Sequence, residues 1–148
     1  MKKSLCCSPF KGANDPIAKV LSENGTIAVV GLSSNPTKPS YEVAQYLQER
    51  GYKIIPVNPT LTEVLGEKAY PDVLSIPGAV DVVDIFRTPD AAPEIVEQAI
   101  AKQAKVVWMQ PGAENMQAAE RAAQAGLEVI VGVCMRKEHR GLQGKHAE

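Results

Sequence analysis

The feature of this sequence that most constrains its fold is a series of short apolar runs, each long enough for one β-strand. Residues 26–30 read Thr-Ile-Ala-Val-Val, and residues 106–109 read Val-Val-Trp-Met. A strand that is apolar at successive positions has to be buried on both faces, which is typical of a parallel sheet covered by helices. On this pattern, strands are predicted at residues 26–30, 52–55, 80–86, 106–109 and 127–131.

Helical patterns precede and separate these runs, because apolar residues recur there at spacings of three and four. The predicted helices lie around residues 17–21, from Pro39 or Ser40 to a stop at Gly51, around the apolar stripe at 95–100, and over the alanine-rich segment 114–125. Prolines at the predicted starts and glycines after the predicted ends agree with the usual signals for helix boundaries.

The segment between the second and third strands is less regular. Residues 60–80 contain turn signals, and we predict a short strand at residues 69–70 and one helical turn after Pro71. Elsewhere strands and helices alternate with short connections. This order predicts an α/β fold of three layers, with a doubly wound, mostly parallel, five-stranded sheet.

Length and charge exclude several classes of protein. A chain of 148 residues suits a single domain. Lys and Arg number 16 against 17 Asp and Glu, and the net charge of −1 argues against a nucleic acid as the main partner, because such binding needs a clustered basic face. The longest apolar stretches reach about half of the ~20 residues that a membrane-spanning helix needs. We therefore expect neither a nucleic acid nor a membrane as partner.

The N-terminus and the cysteines favour the cytoplasm. Met1-Lys2-Lys3 begins like a signal peptide, but Ser8, Pro9 and Lys11 interrupt any apolar core. The three cysteines form no disulfide framework and lack the spacing of zinc ligands, so no metal site is expected. We expect an N-terminal extension with a short helix at residues 1–24, the α/β domain at 25–135, and a polar tail at 136–148.

The segments that follow the five strands carry the functional prediction, because ligands of open α/β sheets bind at the carboxyl ends of the strands. These segments contain small, polar or cationic residues, and none offers a carboxylate at the strand end. That composition favours an anionic ligand. The segments are residues 31–41, 57–59, 86–89, 110–112 and 132–135.

The first of these loops resembles a cradle for a pyrophosphate. Gly31 lets the backbone approach a ligand closely, and the helix that follows directs free N–H groups to the same place. Ser33 and Asn35 add short polar groups, and Lys38 adds a cation. The loop matches neither GxxxxGK[ST] nor GxGxxG, and the alternative interpretation is an ordinary polar connection.

The end of the second strand argues against NAD. Domains that bind NAD place an acidic residue there to hold the ribose hydroxyls, whereas this chain has Val57-Asn58-Pro59. An amide at this position tolerates a phosphorylated ribose, because it carries no charge to repel the phosphate. Asn-Pro is also a common turn, so the signal is weak by itself.

Taken together, the motifs resemble a known family. They are Ala28-Val29-Val30-Gly31-Leu32-Ser33, Lys38-Pro39-Ser40-Tyr41, Gly51-Tyr52, Pro56-Val57-Asn58-Pro59, Leu65-Gly66, residues 82–87, residues 108–112 and Cys134-Met135. From about Thr26 to His139 the chain resembles the small stand-alone CoA-binding domain proteins. Their Rossmann-like fold is also the CoA-binding part of the succinyl-CoA synthetase α subunit and of acyl-CoA synthetases. The resemblance implies coenzyme A or an acyl-CoA as ligand of the domain at 25–135.

The resemblance also implies roles for individual residues. The first loop would hold the phosphates, and the end of the second strand would lie along the adenosine. Phe86 and Arg87 would form the far wall, and Gln110 and Gly112 would face the pantetheine arm. The implied cofactor-binding residues are Gly31, Leu32, Ser33, Ser34, Asn35, Lys38, Ser40, Tyr41, Val57, Asn58, Pro59, Phe86, Arg87, Gln110 and Gly112.

Several alternatives stay open at this point. Arg87 could instead pair with Asp90 or Glu94 at the start of the next helix. Cys134 could be a reactive thiol of an enzyme that acts on an acyl-CoA or a thiol, although no catalytic residue is assigned. A regulator that responds to NAD(H) and a subunit that senses CoA are further alternatives. The chain alone is expected to lack ligase activity, and the sequence leaves open a homodimer or a partner protein.

Overall fold

The computed structural model describes residues 5–6 and 16–146. The strands are β1 (Leu5–Cys6), β2 (Thr26–Val30), β3 (Lys53–Val57), β4 (Glu63–Val64), β5 (Glu67–Lys68), β6 (Val82–Ile85), β7 (Val106–Met109) and β8 (Glu128–Val131). The helices are α1 (Pro16–Glu23), α2 (Pro39–Glu49), α3 (Ala92–Ala101), α4 (Met116–Gln124) and α5 (Met135–His146). Within the described part of the chain, no helix combines the length and apolar character needed to cross a membrane.

The main sheet has the order β1-β8-β7-β6-β2-β3, and all of its strand pairs are parallel. The five predicted strands and the doubly wound α/β fold are confirmed. The sequence did not predict β1, which pairs with the free edge of β8 over two residues. Two residues are too few for a periodic signal, and this strand depends on the edge that it covers.

Both faces of the sheet are buried, as the continuous apolar strands predict. Within β2, Ala28 and Val30 point to one face, which α3 and α4 cover. Ile27 and Val29 point to the other face, where α1, α2 and the start of α5 pack. The alternation of side chains along each strand therefore fills two cores from a single apolar run.

The irregular segment contains a hairpin that the sequence analysis did not identify. Strands β4 and β5 pair in antiparallel fashion around Leu65 and Gly66, whose φ angles are 56° and 77°. Positive φ at both positions is typical of a two-residue hairpin turn. The predicted strand at residues 69–70 is reduced to a single bridge between Val57 and Tyr70. Bends and turns follow Pro71 in place of the predicted helical turn.

The C-terminal segment is helical where a loose polar tail is expected. Helix α5 buries Met135 and His139, and the hydroxyl of Tyr46 lies 2.9 Å from Nδ1 of His139. Burial, together with the charge of Arg50, lowers the pKa of the His139 imidazole. Among residues 135–141 of this helix, whose side chains the structure describes, the two buried positions lie four residues apart between polar ones, so the sequence pattern is weak.

The N-terminus of α4 offers a test of the local structure. Asn115 caps this helix, since its Oδ1 accepts a hydrogen bond from the N–H of Ala118 at 3.0 Å. We expect Asn115→Ala to lower the free energy of unfolding by about 1 kcal/mol in urea denaturation. Asn115→Asp keeps the cap but loses the bond from Nδ2 to the Pro89 carbonyl. An aspartate variant as unstable as the alanine variant would contradict the capping role.

Candidate functional site

A crevice opens at the carboxyl edge of the sheet, between the ends of β2, β6 and β7. Strands β2 and β6 are neighbours, but the helix after β2 covers one face and the helix after β6 covers the other. The two connections therefore diverge and leave a gap. The larger lobe of the crevice has a volume of about 500 Å3. Its lining residues are Gly31, Ser33, Lys38, Pro39, Ser40, Phe86, Arg87, Thr88, Pro111, Gly112 and Ala113.

Gly31 sits where two backbone segments touch. Its φ is +90°, and a Cβ at this position would lie 2.6 Å from the carbonyl oxygen of Phe86 and 2.9 Å from Cδ of Arg87. Its N–H donates to the carbonyl of Val57 at 2.9 Å. Both the backbone conformation and the space thus require glycine, and the first loop is held directly against the residues that follow β6.

The rest of the first loop is organised by short polar side chains. The N–H of Ser33 donates to Oγ of Ser40 at 3.1 Å, and Asn35 Oδ1 accepts from both the N–H and the hydroxyl of Thr37. No side chain caps the N-terminus of α2, although Pro39 and Ser40 line the larger lobe. The free N–H groups of the first helical turn are therefore available to an anion.

Lys38 and Arg87 are the charged residues that line the larger lobe. Among the described residues, Arg87 makes no salt bridge to Asp90 or Glu94, so the alternative pairing considered for it is absent from this part of the chain. The described residues that line this lobe include no carboxylate. Two cations and an uncapped helix start thus share a space that favours negative charge.

A smaller lobe of about 310 Å3 lies on the other side of Arg87 and shares Gly31 with the larger one. Asp72 and Glu94 line it, which the sequence analysis missed. Neither residue directly follows a strand, since Asp72 lies in the irregular segment and Glu94 in the first turn of α3. The remaining lining residues are Val30, Val57, Pro59, Pro71, Ala91, Ile95 and Gln98.

Asn58 joins two loops rather than lining either lobe. Its Nδ2 donates to the carbonyl of Leu32 at 3.0 Å, and its Oδ1 accepts from the N–H and hydroxyl of Thr60. The amide considered for a ribose contact thus holds the first loop against the end of β3. Its neighbours Val57 and Pro59 do line the smaller lobe.

Other predicted residues also lie outside the walls of the two lobes. The side chain of Leu32 is fully buried, that of Tyr41 packs partly buried on the core, and Ser34 and Asn35 are exposed on the loop. Gln110 is 1% exposed and lies beneath the crevice. The structure brings together Gly31, Ser33, Lys38, Ser40, Phe86, Arg87 and Gly112 in the larger lobe.

Beneath the crevice, Asp84 and Gln110 form a buried polar pair. Asp84 is 0% exposed, and Nε2 of Gln110 donates to its Oδ1 at 2.6 Å. Oε1 of Gln110 accepts a longer bond from the N–H of Met135, at 3.4 Å. Burial raises the pKa of Asp84 to about 7, while the hydrogen bond from Gln110 acts in the opposite direction.

Cys134 lies between two anchored residues at the start of α5. The indole Nε1 of Trp108 donates to the carbonyl of Val133 at 2.8 Å, and the N–H of Met135 is held by Gln110. The Cys134 thiol is half-buried and lines neither of the two lobes. Its geometry therefore gives no direct support to thiol chemistry in the crevice.

Comparison with known proteins identifies similar chains. A family model described as "CoA binding domain" matches residues 25–140. The uncharacterized protein YneT of Bacillus subtilis (strain 168) is 38% identical over 123 residues, which are 83% of this chain and 91% of YneT. ADP-forming acetate–CoA ligase II of Archaeoglobus fulgidus is 34% identical over 82 residues, which are 54% of this chain but 12% of the ligase.

A solved structure shows a similar fold over nearly the whole chain. A hypothetical protein from Pyrococcus horikoshii OT3 superposes with a TM-score of 0.87 and 42% sequence identity. The match covers 97% of this chain and 99% of that protein. The fold is therefore shared with a small single-domain protein as well as with one part of a much longer ligase.

The contact at Gly31 can be tested against a second glycine. Gly51 also has a positive φ, +97°, but a Cβ there would meet nothing within 4 Å. We expect Gly51→Ala to lower the free energy of unfolding by about 1–2 kcal/mol through backbone strain alone. Gly31→Ala adds a clash with the Phe86 carbonyl, so it should lower the free energy of unfolding by at least about 2 kcal/mol more than Gly51→Ala does. Equal losses in urea denaturation would contradict the close approach.

The raised pKa of Asp84 predicts how stability depends on pH. The unfolded chain releases this proton near its ordinary value of 3.8, whereas the folded chain keeps it until about 7. The contribution of Asp84 to the free energy of unfolding therefore falls as pH rises between these values, by at most about 4 kcal/mol, and is constant above them. Asp84→Asn removes this dependence.

Urea denaturation of both proteins from about pH 4.5 to about pH 8.5 measures the effect. The free energy of unfolding of Asp84→Asn should increase relative to that of the wild type up to about pH 7 and then stay level. Parallel pH profiles for the two proteins would show that Asp84 does not hold a proton in the folded state.

Proposed function

The chain belongs to the CoA binding domain family, and on that premise we propose that its crevice binds coenzyme A or an acyl-CoA. One observation carries this proposal. Lys38, Arg87 and the uncapped start of α2 converge on a lobe of about 500 Å3, and no carboxylate is among the described residues that line it. This lobe suits the diphosphate of a nucleotide, because each charge-assisted hydrogen bond contributes about 1.5–3 kcal/mol.

The two lobes together fit an elongated nucleotide. Ligand sites usually enclose about 300–1,000 Å3, and the lobes of about 500 and 310 Å3 are joined at Gly31 and Arg87. The small residue at position 31 allows the backbone to approach a phosphate, as a Cβ there would meet the opposite wall. The donors and the space therefore fit the diphosphate and the adjoining adenosine.

The charges suggest how the nucleotide lies. Arg87 separates the cationic larger lobe from the smaller lobe, which Asp72 and Glu94 line. We place the diphosphate and the 3′-phosphate of the ribose beside Lys38 and Arg87 in the larger lobe, and the uncharged adenine in the smaller one, where its amino group can donate to a carboxylate. The pantetheine arm then leaves past Gly112, on the opposite side of the larger lobe.

Binding alone is the function that we propose for this domain. The curated ligase relative shares 82 aligned residues, and these are 12% of its length. Within the described residues, Cys134 lines neither lobe, and no second carboxylate acts on Asp84 in the way that acid–base chemistry would need. We therefore propose a CoA-binding module whose activity, if it contributes to one, is completed by other protein segments.

Arg87 provides the direct test. We expect Arg87→Ala to weaken the binding of CoA by about tenfold or more in isothermal titration calorimetry, because at least one charge-assisted contact to a phosphate is lost. Arg121→Ala is the matched control, since Arg121 is exposed and pairs with Glu97 away from both lobes. An unchanged affinity in a folded Arg87→Ala protein would remove Arg87 from the site.

Ligand identity can be tested without any variant. Native mass spectrometry of freshly purified protein should show the added mass of CoA, or take it up on titration. NADH, followed by its fluorescence, should bind more weakly than CoA because Lys38 and Arg87 favour the more highly charged ligand. Tighter binding of NADH would replace this proposal with that of an NAD(H)-responsive protein.

A further inference from the structure

Asp84 occupies a position that a stable core would ordinarily give to an apolar residue. It lies on β6 beside Val29 of β2 and Trp108 of β7, on the face that α2 and α5 cover. Its Oδ1 accepts from Gln110, but its Oδ2 is buried and has no hydrogen-bond partner among the described residues. A buried polar atom of this kind carries an energetic penalty, so its presence calls for a physical reason.

The orientation of Gln110 follows from its two partners. The backbone N–H of Met135 can only donate, so the atom of Gln110 that faces it is the carbonyl Oε1. Nε2 then faces Asp84 and needs an acceptor there. Asp84 Oδ1 supplies that acceptor whether or not Oδ2 carries a proton. A proton on Oδ2 leaves the pair neutral, whereas its loss leaves a buried charge.

Gln110 connects two parts of the protein that meet at the crevice. Its backbone carbonyl accepts from the N–H of Ala113 at 2.9 Å, which closes the turn at residues 111–113 in the wall of the larger lobe. Its side chain holds the start of α5 at Met135. Trp108, two residues earlier on β7, holds Val133 in the same way. Side chains from the end of β7 thus clamp the connection between β8 and α5.

We propose that Asp84 is a positioning residue of the crevice: as a neutral carboxylic acid it orients Gln110, and through Gln110 it joins the wall at residues 111–113 to the start of α5. Asp84 does not line either lobe, so it acts on a ligand only through this connection. The consequence for binding rests on the proposed function, whereas the consequence for the clamp does not.

Loss of the Asp84 proton should loosen the clamp, because no charged side chain in the described part of the chain forms an ion pair with the carboxylate. Its pKa of about 7 reflects burial and the Gln110 bond, without a contribution from a charged group. The ionisable residues with described side chains on or next to the elements that cover this face are Lys19, Glu23, Lys38, Tyr41, Glu42, Tyr46, Glu49, Arg50, Cys134, Arg136, Lys137, Glu138, His139 and Arg140. An uncompensated buried carboxylate favours entry of water and separation from its neighbours.

Trp108 offers a readout that needs no ligand. It is the single Trp of the chain, it is fully buried, and it pairs in register with Asp84. We expect the Trp fluorescence of the wild type to change with a midpoint near pH 7, in line with the pKa of Asp84. Asp84→Asn, which stays neutral and keeps an acceptor for Gln110, should abolish this transition. The exposed Glu120→Gln is the matched control and should retain it.

Hydrogen exchange measures the clamp itself. Peptides that cover residues 110–116 and 132–138 should exchange faster in the wild type than in Asp84→Asn at about pH 8.5, and equally at about pH 6. Comparison at one pH cancels the intrinsic pH dependence of exchange. Asp84→Leu fills the space but offers no acceptor, so these peptides should exchange faster at both pH values. This pattern distinguishes positioning from simple filling of the core.

Measurement of CoA binding extends the same comparison of wild type and variants to the ligand. If only protonated protein binds fully, the affinity of the wild type relative to Asp84→Asn should fall about tenfold at one pH unit above the midpoint. The ionisation of CoA also changes with pH, but it affects the binding to both proteins equally and therefore cancels in the ratio of their affinities. Asp84→Leu should bind CoA more weakly than Asp84→Asn at every pH, and more weakly than the wild type where the wild type is protonated.

Two results would overturn the proposal. One is a fluorescence transition that persists unchanged in Asp84→Asn, which would assign the titration to another group. The other is an Asp84→Leu protein whose clamp peptides are as protected as those of the wild type. Absence of CoA binding in every protein would instead refute the proposed function, and the fluorescence and exchange measurements would still decide the role of Asp84.

Discussion

Burial of a parallel sheet on both faces is the constraint on which the rest of this structure depends. Helices cover the two faces, so only the ends and edges of the strands remain accessible. Because all strand pairs of the main sheet are parallel, the carboxyl ends of its strands lie on one edge, and every connection that leaves this edge adds to one surface. Where the connections after β2 and β6 turn to opposite faces, this surface opens into a crevice.

Two features organise the crevice: the backbone contact at Gly31 sets its shape, and the side chain of Arg87 lies between two lobes of different charge. Gly31 approaches the carbonyl of Phe86 so closely that the loop after β2 and the loop after β6 form one wall. Arg87 then separates a lobe with cations from a lobe with Asp72 and Glu94. The same domain occurs in small proteins and within a much longer ligase, which is consistent with a binding unit that different proteins use in different settings.

Asp84 is a buried carboxyl group in a strand whose other residues are apolar. A carboxyl group on a central strand lowers the stability of the folded state at neutral pH, since burial opposes its ionisation. In return, it orients Gln110, which connects the crevice wall to α5. Polar groups in cores commonly specify one arrangement of their neighbours rather than add stability. The network beneath this crevice follows that pattern.

The sequence by itself determined five strands of the main sheet, their order along the chain with the helices between them, and the first loop, because continuous apolar runs and glycine stops are local signals. Only the tertiary structure decided which side chains reach the crevice. Asn58 and Gln110 follow strands as predicted, but their amides are bound to neighbouring segments. Asp72 and Glu94 reach the smaller lobe from positions without a sequence signal. Contacts between distant segments set these outcomes, and no local pattern encodes them.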